Sequence, residues 1–300
     1  MSLHRRQKNK IVRDYNNRIA KSVGKDRYDG ICDALDAAKD TGAKSLYMKY
    51  IDDVGVLDSK SRGGAYCQFT SISWNAEKDS VDSKLRKAHS VFYHESGHAI
   101  DHLLGNGKGV GWFYSTGWNN GEFSTTIKDE VKDWVESIKK ELKDGLKAHA
   151  SDIEWLKAHK LISDWDLSRL ENYAKQNGVS VEDILSKKVK IPDAKYNMPK
   201  VVNHNAYKII EQEMENIKNS ENGDWKMSDI SDILEGATKG GIQCGWGHGK
   251  SYWKHTDVAV EAFAEMMQAH TVGNESLEVL EKYLPKSVDA FRRMCKDAVT

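Results

Sequence analysis

Three hundred residues are enough for one large domain or two small ones, and 45 Lys plus Arg balance 45 Asp plus Glu. That balance excludes a net field that would draw nucleic acid or a membrane surface. No run approaches the ~18 apolar residues of a spanning helix, no signal-peptide-like leader opens the chain, and Cys32, Cys67, Cys244 and Cys295 form no CxxC pair, so reduced thiols in the cytoplasm are expected.

Only three prolines occur, which points to a largely helical chain. Residues 3–21 and 26–39 read as helices, the first carrying His4, Arg5, Arg6, Lys8, Lys10 and Arg13. Such patterning fits a solvated face or packing tail better than a nucleic-acid arm. Ala43–Val54 continues helically. Gly64–Asn75 (Gly-Ala-Tyr-Cys-Gln-Phe-Thr-Ser-Ile-Ser-Trp-Asn) alternates and is rich in β-formers, so it reads as the strand region of a small sheet.

The next segment carries the chemistry. In Val91–Gly105 stands His94-Glu95-Ser96-Gly97-His98. Residues four apart on a helix share a face, so both imidazoles can address one metal ion. Glu95, beside the first ligand, can take a proton from an activated water, the His-Glu-x-x-His logic of a zinc hydrolase. At ~100° per residue Asp101 joins His94 and His98 on one face, with Phe92, Ser96, Ala99 and Leu103 opposite. Gly105 and Gly107 offer a helix stop. Trp112, Tyr114 and Trp118 follow, as a substrate groove or as a satellite aromatic core.

Residues 123–188 read as helical, with Trp134, Trp155 and Trp165 as core anchors. Lys187–Asn203 holds two of the prolines and little periodicity, which marks a linker or long loop. Asn205–Lys218 and Met227–Thr238 are two more helices. Gly245-Trp-Gly-His-Gly-Lys-Ser251 imitates a phosphate loop, but Cys244 stands where that pattern needs glycine. It reads instead as a flexible loop near an active-site mouth, with His248 and Tyr252 facing substrate. Glu261-Ala-Phe-Ala-Glu265 reads as a helix with both glutamates on one face.

A third ligand must join the two histidines. His102 lies ~12 Å from His94 along a continuous helix, and no Gly or Pro breaks the helix between His98 and His102. Glu261 is the better choice, completing a His2Glu set with a fourth position left for water. Glu265 is expected behind it, orienting a ligand histidine as Asp101 does.

The helix His94–Asp101, paired with Glu261–Glu265, resembles the metallopeptidase domain of the anthrax lethal factor type. It is still more similar to the zincin domains at the C-terminal ends of phage minor head (capsid morphogenesis) proteins, where a segment like Ile242–Trp253 precedes the glutamate helix. The resemblance covers roughly residues 45–125 and 226–285. It implies Zn2+ on His94, His98 and Glu261, Glu95 as general base, and a tyrosine near the ligand glutamate that stabilises the oxyanion. Tyr252 is the nearest, two residues further from Glu261 than in the family pattern; His248 or His255 could serve instead, or bind substrate. An edge strand within 65–75 would pair with an extended peptide, by analogy of fold.

These readings converge on a predominantly α-helical α+β, zincin-like metallopeptidase with a small sheet beside the metal helix. An N-terminal helical region (1–42), a catalytic domain (43–125 and 226–300) and a helical insertion (126–225) are expected. The expected activity is a zinc metalloendopeptidase, phage or prophage derived, cytoplasmic or virion-associated. Its partners would be a peptide or protein substrate and phage capsid or portal proteins, with no nucleic acid and no membrane. The competing reading is a non-catalytic, zinc-stabilised assembly module of a phage minor head protein. A staple of that kind would close its metal with a fourth protein ligand, for which the chain offers no obvious residue beyond His102.

Overall fold

The computed structural model describes residues 11–39, 41–149, 151–159, 161–185 and 198–300, with only the backbone path for 198–204. The chain divides into two compact units, one built from the described residues up to Val131 together with Met214–Thr300, the other from Lys132–Glu213. The architecture is predominantly helical with one three-stranded sheet. The described residues of the N-terminal region expected over 1–42 belong to the first unit.

In that unit, α1 (Arg18–Val23) begins behind Asn17, whose side chain accepts from the Ala20 amide at 2.7 Å. Among the described residues, the helix expected over 3–21 is formed only from Arg18, because Asn17 caps it there. Residues 3–10 lie outside the described residues. Arg13 turns onto the acidic face of α2 (Lys25–Ala37), pairing with Asp29 and Asp33. After α3 (Ala43–Tyr50) and a 3-10 turn come β1 (Gly55–Asp58), β2 (Tyr66–Gln68) and β3 (Ser71–Ser73). The order is β1-β3-β2, parallel between β1 and β3 and antiparallel between β2 and β3, so β2 forms an edge. A two-residue turn, with Phe69 at φ 56°, joins β2 to β3.

The short α4 (Ala76–Asp79) ends at a buried carboxylate that Asp79 turns toward α5 (Ser90–Lys108). Val91 and Phe92 amides donate to it at 3.0 and 2.9 Å, satisfying free donors of the helix start. Helix α5 does not stop at Gly105 or Gly107 but runs to Gly109, at φ 68°. Gly105 serves close packing, since a β-carbon there would meet Gly111 O and Phe113 N at 2.8 Å. Helix α6 (Tyr114–Gly117) follows, and α7 (Glu122–Ala148) leads into the second unit.

The first unit resumes within α11 (Met198–Lys218), then α12 (Gly223–Ala237), α13 (Val258–Thr271), α14 (Asn274–Tyr283) and α15 (Pro285–Val299). Every residue of α13 is buried. Most are apolar, as a core helix requires, which singles out Glu261, Glu265, Gln268 and His270 as buried polar groups needing an account. Helix α13 packs on α5 with Phe92, Ile100, Phe263, Met266 and Met267 sealed between or beside them.

The second unit holds the later part of α7, α8 (Ile153–Ala158), α9 (Asp164–Asn177), α10 (Val181–Leu185) and the start of α11. Asp152 and Ser163 cap α8 and α9, and Gly178 in the left-handed region ends α9. Ile138, Leu142, Leu156, Leu161 and Ile210 are buried within it. Trp165 is no core anchor: it is 66 % exposed under the Arg169 guanidinium. Trp134 and Trp155 are half-buried. The expected loop over 187–203 is helical from Met198, and its remainder lies outside the described residues. The unit is narrower than the insertion expected over 126–225. Among the described residues, no helix is long and apolar enough to cross a membrane.

Candidate metal centre

His94 and His98 lie one turn apart on α5, and α13 presents Glu261 to both. His94 Nε2 is 3.2 Å from His98 Nε2, and Glu261 Oε2 is 3.3 Å from His98 Nε2 and 3.7 Å from His94 Nε2. Zinc bonds of ~2.0–2.1 Å in a tetrahedron place ligand atoms roughly 3.3 Å apart. The three side chains therefore already stand at zinc-ligand separations. Glu261 is 2 % exposed, and its Oε2 has no hydrogen-bond donor. A buried carboxylate oxygen facing two imidazole nitrogens is a donor set that a cation would satisfy. These residues could hold a metal ion such as Zn2+.

Charge in the cluster is strongly coupled. Burial pulls the His94 imidazolium down, and neighbouring His98 adds to that. Burial also opposes charge on His98, but Glu261 overrides it and lifts the pKa to about 9. Glu261 in turn resists its burial and sits well below the usual carboxylate range through His98 and His248.

Glu95 is 7 % exposed and lines a cleft of about 530 Å³ together with His94, His98, Tyr252 and Glu261. Tyr252 donates its hydroxyl to Glu261 Oε1, and burial beside that carboxylate raises its pKa. His248 stacks on Tyr252, centroids 4.0 Å apart, with Nε2 3.5 Å from Glu261 Oε2. Glu265 Oε2 lies 3.4 Å from His94 Nδ1, where a carboxylate fixes the tautomer of a ligand imidazole. Burial, then the charge of Asp232, lifts the Glu265 pKa to about 8.

Several expected residues stand elsewhere. Both Asp101 oxygens accept from Ser115, from its amide at 2.7 Å and its hydroxyl at 2.5 Å, so Asp101 ties α5 to α6 instead of orienting an imidazole. His255 is exposed and lines neither cavity beside the histidines. His102 lies outside the ligand cluster. It sits in an aromatic group with Phe69, Trp112 and Phe113 on the cleft wall. Tyr114 and Trp118 are core residues at 5 % and 3 % exposed, with Trp118 Nε1 donating to Asp297, whereas Trp112 lies on the cleft rim at 67 % exposed.

Edge strand β2 borders the same cleft through Ala65–Phe69. On the far side, α12 supplies three acidic residues that sequence reasoning passed over. Asp229 is buried, accepts from Gln268 and Ser276, and is raised by burial and by Glu265. Asp232 Oδ2 is 3.3 Å from His248 Nε2, and hydrogen bonding to Asp232 and then to Glu261 lifts His248 to about 10. Glu235 holds the glycine loop, accepting from the Gly249 amide at 3.1 Å, and Ser231 donates to Trp246 O. The signal was legible: Asp229, Asp232 and Glu235 recur at a three-residue spacing within the apolar run Ile230, Ile233, Leu234.

Comparison with family models, with curated proteins and with solved structures finds no match to this chain.

Proposed function

We propose that this chain is a zinc-dependent metallopeptidase of the zincin kind, with His94, His98 and Glu261 as ligands. The observation that carries the reading is the orphaned Glu261 Oε2 at ligand distance from two imidazoles on one helical turn, beside Glu95. Bound zinc would polarise a substrate carbonyl and make water acidic enough to attack near neutral pH. Glu95 takes the proton of the attacking water on its carboxylate and returns it to the leaving amine. Tyr252 turns its hydroxyl from Glu261 Oε1 to the developing oxyanion. Glu265 holds the His94 ring through Nδ1.

Edge strand β2 offers free backbone groups to an extended peptide, the strand-addition mode of recognition. Phe69 and Trp112 on the rim favour an apolar side chain in that peptide. The resemblance to phage minor head domains makes capsid and portal proteins the first substrates to try.

Metal analysis tests the reading. Purified chain is expected to carry zinc that His94→Ala and Glu261→Ala lose, with cleavage of a peptide library confined to the zinc-bearing form. Absence of zinc after metal-replete purification, or zinc retained in Glu261→Ala, would overturn it.

A further inference from the structure

The carboxylate that completes the zinc set also faces a second group of donors. Asp232, His248 and Glu261 each offer an atom within 4.8 Å of the other two. His248 Nε2 stands 3.3 Å from Asp232 Oδ2 and 3.5 Å from Glu261 Oε2. We propose that Glu261 bridges two divalent metal ions, the second held by Asp232 and His248; the inference rests on the zinc-site reading above.

Independent observations point to a cation there. The Asp232 side chain is 7 % exposed, and its Oδ1 is closed to solvent without any hydrogen-bond donor. Leaving a buried carboxylate oxygen unpaired is costly, and a metal ion removes that cost. It is a second orphaned oxygen, distinct from Glu261 Oε2, which the zinc site already explains.

The mounting is rigid on both sides. Asp232 stands in the middle of α12, and the loop bearing His248 is tied to the same helix by Ser231 and Glu235. Gly247, at φ 136°, lets the loop come this close, since a β-carbon there would lie 2.1 Å from Glu235 Oε2 and 3.1 Å from Asp232 Oδ1. Side chains fixed by packing and secondary hydrogen bonds make precise metal ligands.

One imidazole and two carboxylates suit Zn2+, Co2+ or Mn2+ rather than a soft metal. A cavity of about 370 Å³, lined by Asp232, His248, Trp246 and Arg86, leaves room for the ion's waters. Hydrolases with paired metals hold them roughly 3.5–4 Å apart, a spacing that one shared carboxylate spans. Glu261 Oε1 remains with Tyr252, so the bridge uses the oxygen that both donor groups face.

Cobalt counting tests this directly. The 300-residue chain, saturated with Co2+ and dialysed, is expected to hold two metal ions. His248→Ala and Asp232→Asn should hold one each, with unchanged circular dichroism. Per cobalt, the paramagnetic resonance signal should be weaker in the wild type than in either variant, because a bridged pair couples its spins. One ion in the wild type, lost in His94→Ala and untouched in His248→Ala and Asp232→Asn, overturns the second site and leaves the peptidase reading standing. No ion in the wild type overturns both.

Discussion

Gly97 and Ala264 set the distance between α5 and α13, the helices that carry the proposed ligands: a β-carbon on Gly97 would stand 3.0 Å from the Ala264 Cα and 3.2 Å from the Met267 Cβ. The glycine inside the His-x-x-x-His turn is therefore a spacer between α5 and α13. Gly97→Ala asks the helices to part by a few tenths of an ångström, and Gly97→Val asks for more. Overpacking of this kind typically costs about 1–3 kcal/mol. Zinc affinity is expected to fall in the order wild type, Gly97→Ala, Gly97→Val, measured by chelator competition. Equal affinity in all three would mean that the helices do not set the ligand spacing.

Glu95→Gln keeps the shape of the side chain and removes its basicity. Peptidase kcat should fall ~10²–10⁴-fold, the usual share of a general base, while zinc content stays at the wild-type level. Loss of zinc in this variant would make Glu95 a ligand and undo its assigned role.

Tyr252→Phe removes one donor and leaves the ring against His248. An oxyanion donor contributes ~10²–10³ in kcat. The variant should lose kcat in that range with KM little changed. A change confined to KM would place Tyr252 in substrate binding instead.

Trp112 lies on the rim, 67 % exposed, against His102 and Phe69. Trp112→Ala is expected to raise KM for peptides with an apolar residue near the scissile bond and to spare kcat and melting temperature. An unchanged KM across a peptide panel would remove the aromatic rim from recognition.

His270 makes stability depend on acid. It is 3 % exposed, with Nδ1 2.8 Å from Met266 O and Nε2 accepting from Arg292 at 3.2 Å, so the neutral ring with its proton on Nδ1 satisfies both contacts. Burial lowers its pKa from 6.5 to about 4 in the folded chain. A lowered pKa means that the unfolded chain binds the proton more readily. The contribution is therefore complete above pH 6.5 and is lost as pH falls from 6.5 toward 4, amounting to about 3 kcal/mol. Urea unfolding across that window should show a shallower acid loss in His270→Gln than in the wild type. Parallel slopes would reject the assignment.

The clustering of His94, His98 and Glu95 on α5 was readable because its pattern is local: two histidines and a glutamate within five residues define their mutual geometry on any helix. Glu261 and Glu265 were readable for the same reason, as polar exceptions on an apolar helix. What escaped was relational. Asp101 has a ligand-facing position on the helical wheel, yet Ser115 captures both its oxygens from α6. Asp232 shares a three-residue spacing with Asp229 and Glu235, but its place beside His248 follows only from the glycine loop folding back over α12. Gly105 looked like a stop signal, but its missing side chain admits Gly111 and Phe113. Asn17 began the first helix late because a single cap decides a boundary that composition leaves open.

His98 and Glu261 belong to stretches of chain made at very different moments, with the whole second unit encoded between them. At ~5–20 residues per second, roughly 8–30 s pass on the ribosome after the histidines emerge and before the glutamate does. Until then the nascent chain holds a two-histidine half-site with little grip on zinc. In the proposed peptidase, competence would arrive only with α13, and a prematurely terminated chain would lack the third ligand.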